Sequence, residues 1–263
     1  MQTEKVIPHI VEWLKNYATK AGVKGYIIGV SGGVDSGVVS TLCAMTGLQT
    51  LVLEMPIRQK EDQVDRAQEH IAYLKSKFSN VSDLRVDLTP TFEELYKIFD
   101  ADDAKFPNEN LAFANTRARL RMLTLYHYGQ INGLLVCGTG NKVEDFGIGF
   151  YTKYGDGGVD VSPIADLYKT EVYKLAHDLD LVESIKNAIP TDGLWDTERT
   201  DEQQIGATYP ELEKIQKDYG TKTAEDYYGR DLEVYKIFDR MHKAAKHKID
   251  PIPVCDIPEE WRN

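Results

Sequence analysis

The stretch YIIGVSGGVDSGVV, residues 26–39, decides the fold. A run of β-forming residues ends in two glycines, an acid and two serines, and a second apolar run starts at once. Gly32 and Gly33 allow backbone conformations and close approaches that other residues cannot make. A strand, a Gly-rich turn and a helix N-terminus in succession aim several N–H groups and the positive end of a helix dipole at one spot, which suits an anion. Ser31 and Ser36 add hydroxyl donors. Asp35 is out of place beside phosphates unless a metal ion stands between them. A glycine pair alone would be read as a tight turn, but the hexapeptide SGGVDS (31–36) in a strand-turn-helix setting argues for a ligand. Neither the G-x-x-x-x-G-K-[ST] loop nor the G-x-G-x-x-G fingerprint is present.

Outward from this turn, Val6, Ile10, Val11, Leu14, Tyr17 and Ala18 recur at helical spacing. TLVLEMP (50–56) reads as a strand, Val64 to Phe78 as a helix, DLRVDL (83–88) as a third strand. Thr91 and Glu94 form a capping-box pattern; Asn110 to Gln130 reads as a long helix before the strand GLLVCG (133–138). Strands alternating with helices predict an α/β fold, a Rossmann-like parallel sheet flanked by helices on both faces. From Phe150 the chain becomes polar and Gly-rich, as a long loop, and a helix follows at Thr170 to Leu179. One domain over residues 1–263 is expected, because no Pro/Ser linker divides the chain.

The net charge of −11 opposes non-specific nucleic-acid binding. No run approaches the roughly 18 apolar residues of a spanning helix, and the N-terminus lacks a signal-peptide pattern, so no membrane partner and a cytoplasmic location are expected. Cys43, Cys137 and Cys255 form no CxxC pair and are read as buried free thiols.

SGGVDS resembles the pyrophosphate loop of the N-type ATP pyrophosphatases, which split ATP to AMP and pyrophosphate (the adenine nucleotide alpha hydrolase-like fold). Further segments narrow the resemblance: NTRARLRM (115–122), GTGNKVED (138–145), GFYTKYGDGGVDVSPIADLYKTEV (149–172), IPTDGLWD (189–196) and TDEQQIG (200–206). In this order, and over most of the chain, they are similar to the NAD synthetases. The resemblance implies adenylation of the carboxylate of deamido-NAD, then displacement of AMP by ammonia, in a homodimer that binds deamido-NAD at the subunit interface. It implies that Gly29, Val30, Ser31, Gly32, Gly33, Val34, Asp35 and Ser36 cradle ATP, with Thr139, Lys169 and Thr191 as further ATP contacts. Asp35 and Glu144 would hold Mg²⁺. Arg119, Lys153, Asp160, His247 and Lys248 would contact deamido-NAD. Asp35 and Lys169 would be catalytic, and Asp160 is a candidate base for ammonium by position.

Arg117 and Arg121 share a helix face turned away from Arg119 and are expected to be surface charges or salt-bridge partners. Many members carry GTDHAAEA in place of GTGNKVED, and this chain has one more residue between Glu144 and Lys153. No glutaminase segment is expected, which makes free ammonia the nitrogen donor. Loops around Asp156 and Asp196 are expected to close over substrate. The rival readings are another enzyme with the same loop, such as a tRNA thiolase or GMP synthetase, and a non-catalytic nucleotide-binding module.

Overall fold

The structure, a computed structural model, describes residues 1–59, 61–99, 108–190 and 200–262. The sheet is built by β1 (Gly25–Gly29), β2 (Gln49–Glu54), β3 (Val81–Arg85) and β4 (Leu134–Val136), ordered β3-β2-β1-β4 with every pair parallel. Helices α1 (Thr3–Ala21), α2 (Val34–Met45), α3 (Glu61–Lys77), α4 (Thr89–Ile98) and α5 (Glu109–Asn132) precede or connect the strands. After β4 come a π-helical turn, Lys142–Ile148, and helices α6 (Lys169–Asp178), α7 (Glu183–Lys186), α8 (Asp201–Ile205), α9 (Tyr209–Asp218) and α10 (Gly229–Ile249).

Alternation along β1 separates two cores, because successive strand residues face opposite ways. Tyr26 and Ile28 pack with Leu14 of α1, Val38 and Leu42 of α2 and Leu175 of α6. Ile27 packs with Leu51, Leu53 and Val136 against Phe92 of α4 and Phe113 of α5. Both faces of the parallel sheet are thus covered, as the sequence predicts. A third cluster joins α9 and α10 to the π-helical turn through Val143, Ile148, Leu212 and Phe238.

Several elements start earlier than the sequence suggests, α3 among them at Glu61 rather than Val64. β3 begins at Val81, paired with Thr50, and beyond Arg85 only isolated bonds continue, Val86 N–H to the Glu54 carbonyl and Leu88 N–H to that of Pro56. α4 begins at Thr89, not at a Thr91 cap, with Pro90 in its first turn, where the fixed φ of proline suits a helix start. Among the described residues no helix is long and apolar enough to cross a membrane. Cys43 and Cys137 are buried free thiols, whereas Cys255 is exposed, on the extended segment after α10.

The chain runs β1, β2, β3 outward on one side and then returns to place β4 on the other side of β1. β2 follows β1 on one side while β4 lies on the other, and the crevice beyond the carboxyl ends of β1 and β4 is where ligands bind in such sheets. SGGVDS follows β1, and GTGN (138–141) follows β4.

Candidate active site

The crevice is a cavity of about 290 Å³ lined by Ser31 to Ser36, Thr139, Glu144 and Lys169 among others. Gly32 has φ +82°, and a Cβ there would stand 2.8 Å from the Gln63 carbonyl oxygen, so glycine is required. Gly33 is the N-cap of α2 and supplies no side-chain cap. Ser36 Oγ donates to the Gly33 carbonyl at 2.9 Å and lies 3.2 Å from Ser31 Oγ, which fixes the turn from within. Val30 continues the sheet by donating its N–H to the Leu53 carbonyl at 2.8 Å.

Asp35, in the first turn of α2, and Glu144, on the π-helical turn, converge on one ammonium. Lys169 Nζ, at the start of α6, donates to Asp35 Oδ2 at 2.5 Å and to Glu144 Oε1 at 3.0 Å, and Lys169 is only 4% exposed. Asn141 links the two strand-end loops: its Oδ1 caps the π-helical turn by accepting the Val143 and Glu144 N–H groups, and its Nδ2 donates to Asp35 Oδ1 at 3.3 Å. Tyr209 OH donates to Glu144 Oε1 at 2.6 Å and lies 3.3 Å from Asp201 Oδ2, while its ring centroid is 5.0 Å from Lys169 Nζ.

Burial pushes the Asp35 carboxyl up, beyond what Lys169 offsets, and Glu144 nearby adds to the rise. Burial also acts to raise Glu144, but the Lys169 ammonium and the Tyr209 hydroxyl outweigh it and hold that carboxyl down. Lys169 opposes its own burial through the two carboxylates and stays protonated, its pKa raised. Asp145, also on the cavity wall, is pushed well up by burial and by Glu144, Asp156 and Asp35 around it.

Of the residues expected to contact deamido-NAD, Arg119, Lys153 and His247 are linked to one another. Arg119 donates to the Lys153 carbonyl at 3.3 Å, Lys153 Nζ donates to the His247 carbonyl, and Lys248 Nζ donates to the carbonyls of Gly149 (2.8 Å) and Tyr151 (2.7 Å). Asp160 Oδ2 accepts the Val136 N–H at 2.8 Å and Oδ1 accepts Tyr126 OH at 2.9 Å. None of these five is among the residues lining the cavity, whereas Val159 is. Thr191 and Asp196 lie outside the described residues.

The surface reading of Arg117 and Arg121 is overturned by the structure. Arg117 is 4% exposed with its guanidinium 4.7 Å from the Phe92 ring centroid. Arg121 lines the cavity and donates to the Met55 carbonyl at 3.1 Å and to Gln59 Oε1 at 2.8 Å. The spacing argument grouped the two correctly but set that face outward, whereas it turns toward the sheet and Arg119 is the exposed one. Asn141, Tyr209 and Asp201 were not singled out as site residues. For Asn141 a signal existed, since asparagine before a helical turn is a strong cap.

The chain matches the family model described as NAD synthase over residues 6–251. It belongs to the NAD synthase family. The NH(3)-dependent NAD(+) synthetase of Mesoplasma florum is 36% identical over 250 residues, covering 94% of this chain and 95% of that protein. The NH(3)-dependent NAD(+) synthetase of Syntrophomonas wolfei is 35% identical over the full length of both chains. Among solved structures, NMN synthetase from Francisella tularensis superposes with a TM-score of 0.85 at 28% identity, covering 98% of this chain and 100% of that one. That likeness over nearly the whole of both chains shows a shared α/β fold, which in this chain is built on the parallel four-stranded sheet.

Proposed function

We propose that this NAD synthase family member is an ammonia-dependent NAD synthetase, a ligase that forms the amide of NAD from deamido-NAD, ATP and ammonia with release of AMP and pyrophosphate. The observation that carries the reading is the convergence of Asp35, Glu144 and Lys169 beside a glycine turn at the β1/β4 switch point.

In this reading the turn 31–36 and the N-terminus of α2 receive the pyrophosphate of ATP, and Thr139, Lys169 and Thr191 contact the same nucleotide. Asp35 and Glu144 would hold a Mg²⁺ ion: their oxygens are the hard donors that suit that metal, and Lys169 engages only Oδ2 of the one and Oε1 of the other. When bound, the ion supplies charge neutralisation to the phosphates. Lys169 is fixed and protonated, so it offers preorganised positive charge where negative charge builds up on phosphorus as the substrate carboxylate attacks. The crevice walls orient the two anions for that attack.

Arg119, Lys153, His247 and Lys248 would hold deamido-NAD on the outer side of α5, with a second copy of the chain completing the site in a homodimer. Asp160, held by Tyr126 OH and the Val136 N–H at the end of β4, would act from there as a base for ammonium. A cytoplasmic location accompanies this role, and neither nucleic acid nor membrane is a partner.

The test is NAD formation from deamido-NAD, ATP and Mg²⁺ with ammonium or with glutamine. Product with ammonium alone is expected. Because the Francisella relative is named for NMN, a parallel reaction offers the deamido form of NMN; preference for it would replace the dinucleotide in this reading. No product from either acid, with ATP binding intact, would favour another adenylating enzyme or a non-catalytic module.

A further inference from the structure

Glu54 ends β2, next to the strand that delivers the phosphate turn. It is 6% exposed and lines the cavity, yet its Oε1 accepts no hydrogen bond from the described residues. Gln68 Nε2 approaches the other oxygen at 3.4 Å, a long contact. A carboxylate buried with an unused acceptor is costly, and the cost is offset when a ligand supplies the missing donor.

The plain alternative is a cross-strand pair, since Glu54 stands opposite Arg85 in the β2–β3 register. That pairing accounts for the charge only in part. Arg85 Nη1 is 3.5 Å away without making a hydrogen bond to Oε1, and its side chain is about half exposed.

What lies beside Glu54 must donate hydrogen bonds and carry no negative charge, because a carboxylate repels phosphate. Strand neighbours stand about 4.8 Å apart, so Glu54 is one strand spacing from the Val30 end of the turn that would hold the phosphates. Along the same wall Met55, Val64 and Ala67 present apolar surface suited to a base. Between base and phosphates, the sugar is the part that carries two donors. An acidic residue at the end of the second strand serves the ribose in other doubly wound sheets, at the same topological place.

We propose that Glu54 is a specificity-determining residue of the nucleotide site, accepting a hydrogen bond from a ribose hydroxyl of the bound nucleoside triphosphate. The proposal rests on the ATP reading of the turn.

Equilibrium binding of ATP, 2′-deoxy-ATP, 3′-deoxy-ATP and inosine triphosphate, each with Mg²⁺, to the full chain and to Glu54→Gln tests it. The unaltered protein is expected to bind one of the deoxy analogues about tenfold more weakly than ATP, the scale of one hydrogen bond to a charged group. Glu54→Gln removes the charge and keeps an amide acceptor, so it is expected to weaken ATP and lessen the discrimination, whereas Glu54→Leu, assayed in the same way, removes the acceptor and is expected to lose it. Equal binding of ATP and both deoxy analogues by the unaltered protein overturns the proposal without need of any variant. So does discrimination that survives in Glu54→Leu, or a loss confined to the inosine analogue, which would move the contact to the base. Those outcomes leave ATP binding standing; failure to bind ATP at all would remove the function reading as well.

Discussion

Tyr209 OH donates to Glu144 Oε1 across 2.6 Å, so an aromatic residue from the C-terminal helices holds a carboxylate delivered by the loop after β4. The same ring lies beneath the Lys169 ammonium. Tyr209→Phe keeps the ring and its packing and removes the hydroxyl. Catalytic efficiency is expected to fall about 10- to 100-fold, the range for one hydrogen bond to a charged group. The half-saturating Mg²⁺ concentration should rise while thermal stability changes little. An unchanged Mg²⁺ dependence would mean that Glu144 does not need this donor.

Lys169 sits between two carboxylates and is almost fully buried. Lys169→Met would leave Asp35 and Glu144 facing each other without their cation. A loss of at least about 100-fold in turnover is expected, comparable with removing one preorganised donor from a transition-state site. Steady-state kinetics at saturating ATP and deamido-NAD measures it, and near-normal turnover would exclude Lys169 from the chemistry.

His70, on α3, is fully buried, and its Nε2 lies 2.9 Å from Ser40 Oγ. Burial, outweighing a contact to the Gly37 carbonyl, lowers its pKa from 6.5 to about 4. The unfolded chain therefore binds a proton that the folded chain refuses between about pH 6.5 and pH 4, and stability falls as pH falls through that window. The loss by pH 4 is about 3 kcal/mol from this residue. Urea midpoints from pH 7 to pH 4 should show a slope that flattens in His70→Gln; an identical slope would assign acid sensitivity to other groups.

Gly149 has φ +63°, and a Cβ there would stand 2.0 Å from Ala245 Cβ on α10. Gly149→Ala combines left-handed strain with an overlap of two well-packed segments, and a loss of roughly 2–5 kcal/mol is expected. Chemical denaturation reads it directly. A change below about 0.5 kcal/mol would show that α10 gives way at no cost.

The parallel sheet was legible because YIIGV and TLVLE are short, apolar and bounded by turn signals, and the helices between them keep their period. Asp35, Glu144 and Lys169 came from local motifs, and the fold brings the three together. Tyr209 gave no comparable sign. Its ring is packed like any core aromatic, and only the meeting of α9 with the π-helical turn gives its hydroxyl a partner. Arg117 failed for a related reason: long stems let arginines pack inward, and a charged residue on α5 looks like a solvent-facing one until Phe92 is placed beside it.

The π-helical turn also bears on how this chain is compared with its relatives. A bond from i to i+5, as Gly149 N–H makes to the Glu144 carbonyl, takes up roughly one more residue per turn than an α-helical bond. A chain one residue longer than a relative between Glu144 and Lys153 could therefore store that residue as girth of the coil rather than as displacement along it. A gap opened at this point in an alignment marks a difference in bookkeeping between chains, and the residues on either side can still be matched to the same places in space.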